Sequence, residues 1–162
     1  MKYVRAERNH GAPWNFNRVF ELSSGAYFAW AAHDDERDPS FVSACVERLE
    51  HDPRAVLCTG HAAVSIDPSD DTLYVAHYDS FDGLIDVVAR YRETLKRLPP
   101  TAIYGLYRSS AIRKTKMFEP IIATDIAFIQ ELIIHGHIIQ VPKVLFKYRA
   151  RQTWNTIDPE GV

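Results

Sequence analysis

The run Ala26-Tyr27-Phe28-Ala29-Trp30-Ala31-Ala32, which stops abruptly on His33-Asp34-Asp35, constrains this chain more than any other stretch. An apolar run without polar alternation predicts a strand covered on both faces. Asp38-Pro39 then predicts an immediate helix start, with Asp38 as the cap and Pro39 at the first position. In an open α/β sheet, the carboxyl end of a buried strand is where a metal or a phosphate is held. Little chain lies upstream, with room for one strand and one helix, so the acidic strand end sits close to the N-terminus.

The remaining elements follow from local signals. Met1–Arg5 is β-prone and predicts a first strand. Pro13 suits a first helical turn, Phe16, Val19 and Phe20 recur at helical spacing, and Ser23-Ser24-Gly25 ends that helix. Phe41, Val42, Cys45, Val46 and Leu49 form the buried stripe of the next helix, which His51-Asp52-Pro53 stops. Residues 55–59 and 62–66 read as two strands, and 67–71 as a polar loop. Asp82 opens a helix expected to bury Leu84, Val88, Tyr91 and Leu95, broken by Leu98-Pro99-Pro100. Residues 101–108 read as extended, and a short helix follows Ser109. Thr124 caps a helix carrying Ile126, Ile129, Leu132 and Ile133, closed by Gly136. Residues 138–141 and 144–149 read as two closing strands. Alternating strand and helix in the first sixty residues argue for a parallel α/β sheet, and the later part for mixed α+β.

Bulk properties bound the function. A chain of 162 residues makes one domain with a real core. A net charge of −2 argues against a general nucleic-acid surface. Cys45 and Cys58 lie in apolar surroundings without metal-type spacing and read as buried thiols of a reducing compartment. No apolar run approaches membrane-span length and no signal-peptide core opens the chain, so the reading is cytoplasmic, with peripheral contact at the inner face of a membrane left open.

Several ordered blocks carry a resemblance. Arg8-Asn9-His10-Gly11 with Asn17, Gly25 through Trp30, His33-Asp34-Asp35 with Pro39, Gly105-Leu106-Tyr107-Arg108, Thr124-Asp125 with Gly136, and Val141-Pro142-Lys143-Val144-Leu145 with Tyr148-Arg149 follow one another in order. Over roughly Met1–Arg149 the chain resembles a family 2 glycosyltransferase of the GT-A fold. The resemblance implies an α/β, GT-A-like mixed sheet flanked by helices, the fold of nucleotide-diphospho-sugar transferases. It also implies that the N-terminal strands holding base and ribose are absent, so that residues 1–150 form a partial domain and 151–162 a tail. Ala32 stands where the family's acidic motif has its first carboxylate, and Thr124 where the family has Glu.

By that resemblance the reaction moves a sugar from a nucleotide-diphosphate donor to an acceptor hydroxyl with inversion, the acceptor being a glycan, a lipid-linked molecule or a small molecule. Asp34 is then the ligand of Mg²⁺ or Mn²⁺, and Asp125 the catalytic base. Asn9, Asn17, Asp35 and Arg108 are the donor-binding residues. Each has a plainer alternative. Asp34 could be a solvated loop carboxylate. Asp125 in a helix's first turn favours the helix dipole, Asn9 is equally a turn former, and Arg108 could be solvated. Phe28, Trp30 and Trp14 are core candidates before they are sugar platforms.

Two rival classes remain. One is a non-catalytic module derived from the same fold, using its acidic pocket for binding and forming a homodimer through an exposed sheet edge. The other is a His/Asp metal hydrolase, which needs His33, His61 and His77 to converge on Asp34.

Overall fold

The computed structural model describes residues 3–77, 81–98 and 100–150. The expected tail at 151–162 lies outside the described residues. Helix α1 (Ala12–Glu21) starts where Pro13 predicts and buries Phe20. Strands β1 (Tyr27–Phe28) and β2 (Glu36–Arg37) flank the acidic stretch, and helix α2 (Phe41–His51) buries Phe41, Cys45 and Leu49. Strand β3 (Ala55–Ile66) and strand β4 (Tyr74–Ala76) precede helix α3 (Val87–Arg97). A 3₁₀ turn (Pro100–Tyr104), strand β5 (Leu106–Arg108), helix α4 (Ser109–Ile112), helix α5 (Thr124–Leu132) and strand β6 (His137–Ala150) complete the order.

The sheet order is β1-β5-β3-β6-β2, with β4 joined to the far half of β3. Only β3 and β6 pair in parallel, in the central ladder from Ala55↔His137 to Ile66↔Ala150; the other pairs are antiparallel. The result is a mixed sheet flanked by helices, as the resemblance implies. One core packs α2 against the sheet through Phe41, Cys45, Leu49, Cys58 and Leu145. The other lies between the opposite face and α1, α4 and α5, and centres on Trp30. Phe28, Tyr107, Phe118 and Phe128 meet its indole edge-on at 4.8–5.5 Å. Trp30 and Phe28 are therefore core residues, whereas Trp14 is exposed and stacks on His10 at 4.3 Å.

Several local expectations are corrected. Tyr3–Arg5 form no strand. The apolar run supplies only the two-residue edge strand β1, because its burial comes from the aromatic cluster rather than from two neighbouring strands. The pair at 55–59 and 62–66 is one strand, as is the pair at 138–141 and 144–149. Register shifts around Gly60 and His61, opposite the Val141–Val144 step, let both continue without ending the ladder. The segment before β5 is a 3₁₀ turn instead of extended chain. Among the described residues, the first sixty hold no parallel pair of their own. Asp38 makes the turn before α2, accepting from the Ser40 amide at 2.8 Å, while Ser40 takes the cap position. Helix α3 begins at its Asp86 cap, not at Asp82, and it buries Arg90 and Thr94 while Val88, Tyr91 and Leu95 face outward.

Candidate active site

Burial of Trp30 fixes the entry to the acidic loop, and its indole N–H donates to the Phe16 carbonyl at 3.0 Å. The exit is fixed by Arg37, whose guanidinium donates to the carbonyls of Trp30 and of Tyr104 (3.0 Å) and lies over the rings of Phe41 and Phe146 at 5.0 and 5.7 Å. Residues 31–35 are thus held between two anchored ends, and β2 then pairs with β6. Asp34 lies 3.7 Å from the His33 imidazole. Asp35 accepts the Arg149 amide of β6 at 3.1 Å. Burial pushes the Asp35 carboxyl up and neighbouring Asp34 adds to this, while the Arg149 amide and the charges of Arg37 and His33 oppose it.

Asp125, ninety residues away in sequence, lies close enough to Tyr104 for its charge to act on that phenol. It is the second residue of α5, entered through Ala123 in the left-handed conformation at φ 56°. Thr124 does not cap this helix as expected: its hydroxyl is buried without a hydrogen-bond partner. Asp125 faces a narrow cleft of about 70 Å³ shared with Leu95, Leu98, Ile103 and Ile126. Tyr104, which feels the charge of both acidic elements, is half-buried and stacked on Phe146 at 5.7 Å. Burial raises its phenol first, and the charges of Asp35, Tyr148, Asp34 and Asp125 raise it further. Tyr148 is pushed up by burial and by Asp35 and Asp34.

Asp34, Asp35 and Asp125 thus each act on Tyr104 through their charge, and Tyr104 comes from a segment that periodicity assigns to extended chain. Its signal in the sequence is only its place just before Gly105-Leu106-Tyr107-Arg108. Gly105 is required there because a Cβ would stand 2.8 Å from the Cys58 carbonyl and 2.5 Å from Leu57 Cδ1. Arg37, the other residue missed, reads in sequence as an ordinary surface charge.

The other three candidates are engaged within the fold. The Asn9 carboxamide accepts the Gly11 amide at 2.8 Å, an Asx turn ahead of α1. Asn17 clasps the backbone of Phe118, donating to its carbonyl and accepting from its amide, both at 3.0 Å. Arg108 donates to the carbonyls of Ala55 (2.8 Å), Leu49 and Asp52 (3.4 Å) and to the Tyr27 hydroxyl (3.1 Å). It closes the C-terminal end of α2 onto the start of β3.

Asp34 and Asp35 present hard oxygen atoms, the donor type that Mg²⁺ and Mn²⁺ take. Among the described residues no group of three His, Cys, Asp or Glu side chains is placed to hold a metal. Two carboxylates alone leave most coordination positions of such a cation to other ligands. The histidines do not gather at Asp34. His61 and His77 face each other at 4.7 Å, and His61 Nδ1 lies 3.0 Å from the Gln140 amide nitrogen.

In comparison with known proteins, the family described as Glycosyl transferase family 2 matches residues 1–121. No curated protein matches the chain significantly.

Proposed function

The chain belongs to glycosyltransferase family 2, and from that membership we propose that Asp34, Asp35, Tyr104 and Asp125 form the site of an inverting sugar transfer from a nucleoside-diphosphate donor. The observation that supports this reading is that Asp34, Asp35 and Asp125 all lie close enough to Tyr104 for their charges to act on its phenol. Transfer needs charge uptake on the leaving diphosphate and proton uptake from the attacking hydroxyl. Separated carboxylates can divide those tasks.

Asp34 would hold Mg²⁺ or Mn²⁺ with help from Asp35. A bound cation would neutralise the negative charge that builds on the departing diphosphate. Asp125 accepts the acceptor's proton while that oxygen bonds to the anomeric carbon and the carbon–phosphate oxygen bond breaks. Its place in the first turn of α5 favours a negative charge. Tyr104 stays a neutral phenol among the carboxylates, able to donate a hydrogen bond to a donor or acceptor oxygen. Asn17, Arg37 and Arg108 hold the surrounding loops.

Calorimetric titration with UDP and with GDP, each with and without Mn²⁺, tests this. Metal-dependent binding that disappears in Asp34→Ala, with the circular dichroism spectrum unchanged, is the expected outcome. Binding indifferent to metal and to Asp34 would sink it. Silence with both nucleotides would favour the non-catalytic module instead. Asp125→Asn is expected to keep nucleotide binding and to lose turnover by roughly 10²–10⁴-fold.

A further inference from the structure

Helix α3 is amphipathic with its faces exchanged. Arg90 and Thr94 are 6% and 2% exposed, whereas Val88, Tyr91 and Leu95 are 63%, 46% and 53% exposed. The orientation is locked by directional bonds. Arg90 donates to the carbonyls of Ile133 (3.0 Å), Leu84 (3.1 Å) and Ile85 (2.7 Å), and Thr94 pairs with Gln130 of α5 at 3.1 Å. Turning the apolar stripe inward would remove the donor from three carbonyls, so the stripe is held outward. Leu95, at its end, also lines the Asp125 cleft together with Ile126, itself 49% exposed. An outward apolar stripe of this extent marks a contact surface.

The charges beside it select what the surface meets. Helix α3 carries four basic residues and one acidic one. Arg92 and Lys96 follow Tyr91 and Leu95 by one position each and so flank the stripe. Arg90 is buried, and the one acidic residue, Glu93, pairs with Arg97 at 2.9 Å and with Lys96 at 3.8 Å, so the exposed part of the helix keeps a net positive charge. A second copy laid antiparallel on the stripe would centre on Tyr91 and Arg92 and bring two guanidinium groups together at the two-fold axis. An anionic surface with an apolar layer beneath it suits the same face: the side chains enter the layer, the cations meet acidic headgroups, and a tyrosine ring spans the boundary. No described helix is long and apolar enough to cross a membrane, which leaves a seat on the surface.

We propose that α3 seats the protein on an anionic lipid bilayer through Val88, Tyr91 and Leu95, flanked by Arg92 and Lys96, so that the Asp125 cleft opens toward acceptors carried in the membrane. The acceptor class rests on the glycosyl-transfer reading; the seating does not.

The test is co-sedimentation of the full chain with phosphatidylcholine vesicles, with and without phosphatidylglycerol, at low and physiological salt. Binding to the anionic vesicles that weakens with salt is expected, with little binding to phosphatidylcholine alone. Leu95→Glu and Val88→Glu, both at exposed positions, should each weaken it roughly tenfold or more with the melting temperature unchanged. Arg92→Glu should weaken it chiefly at low salt. No binding to anionic vesicles, or equal binding by Leu95→Glu, overturns the proposal. So does a dimer in light scattering that Leu95→Glu dissolves, since the stripe then belongs to a second copy. Asp34→Ala should bind vesicles like the parent chain. Loss of its nucleotide binding together with retained vesicle binding keeps the two readings separately testable.

Discussion

Replacing Arg108 by Met separates a holding role from a ligand-binding one. The guanidinium donates to three carbonyls and one hydroxyl, at 2.8–3.4 Å where the contacts are of ordinary length. The carbonyls of Leu49 and Asp52 lie at the end of α2 and also accept from the Asp52 and Ala55 amides, so the guanidinium is a second donor to each. Methionine keeps much of the apolar stem and removes every donor. At about 1 kcal/mol net for each bond lost, reduced where water can reach the half-buried carbonyls and increased by the lost stacking on Tyr27, the cost is about 2–4 kcal/mol. For a domain of this size that lowers the melting temperature by roughly 5–12 °C. Thermal and urea unfolding read the loss, and titration with nucleotide below the transition reads binding per folded molecule. The expected result is a less stable protein with nucleotide affinity within about twofold of the parent, a difference near 0.4 kcal/mol. Unchanged stability with abolished nucleotide binding would refute the reasoning and return Arg108 to the donor.

Two other perturbations test the packing. A Cβ on Gly136 would stand 2.3 Å from the Arg54 carbonyl and 2.4 Å from Val56 Cγ1, so Gly136→Ala should destabilise by about 2 kcal/mol or more in urea, because backbone cannot swing aside. Burial alone would raise the Asp52 carboxyl, but the Arg54 amide and a 2.7 Å bond to buried His137, with the charges of both residues, hold it below the usual range. A carboxyl depressed in the folded state contributes stability above its unfolded pKa, near 4, and loses it as pH falls through the folded value. Melting curves for Asp52→Asn should therefore differ most from the parent near neutral pH and converge with it below about pH 4.

Where signals are local, the sequence is a sufficient guide. Pro13 starts α1, His51-Asp52-Pro53 stops α2 and Gly136 follows α5, because caps and breakers act on their own turn of chain. The resemblance alone singles out Asp34, Asp35 and Asp125, and the family match ends at residue 121, short of Asp125. What fails is decided at a distance. Apolar spacing marks α3 as a helix but cannot say which side turns inward, since that depends on carbonyls at 84–85 and 133 that receive Arg90. Gly60-His61 looks like a break in β3 until the partner strand steps with it. Tyr104 escapes notice because its position follows from a 3₁₀ turn laid beside Phe146 of the last strand. The aromatic cluster likewise imitates, in the run before Asp34, the composition of a strand with neighbours on both sides.

The central parallel ladder joins segments some eighty residues apart, so neither strand can find its place until most of the chain is present. During synthesis β3 leaves the ribosome long before β6, with no parallel partner to meet. The amide that holds Asp35 comes from Arg149, near the end of β6, so the two halves of the acidic site cannot be fixed until the final strand is laid in. The placing of Asp35 is therefore expected among the late events of folding, since it waits on a contact 114 residues away in sequence. A nascent chain arrested before residue 137 should leave β3 open to protease, and one extended past residue 150 should close it.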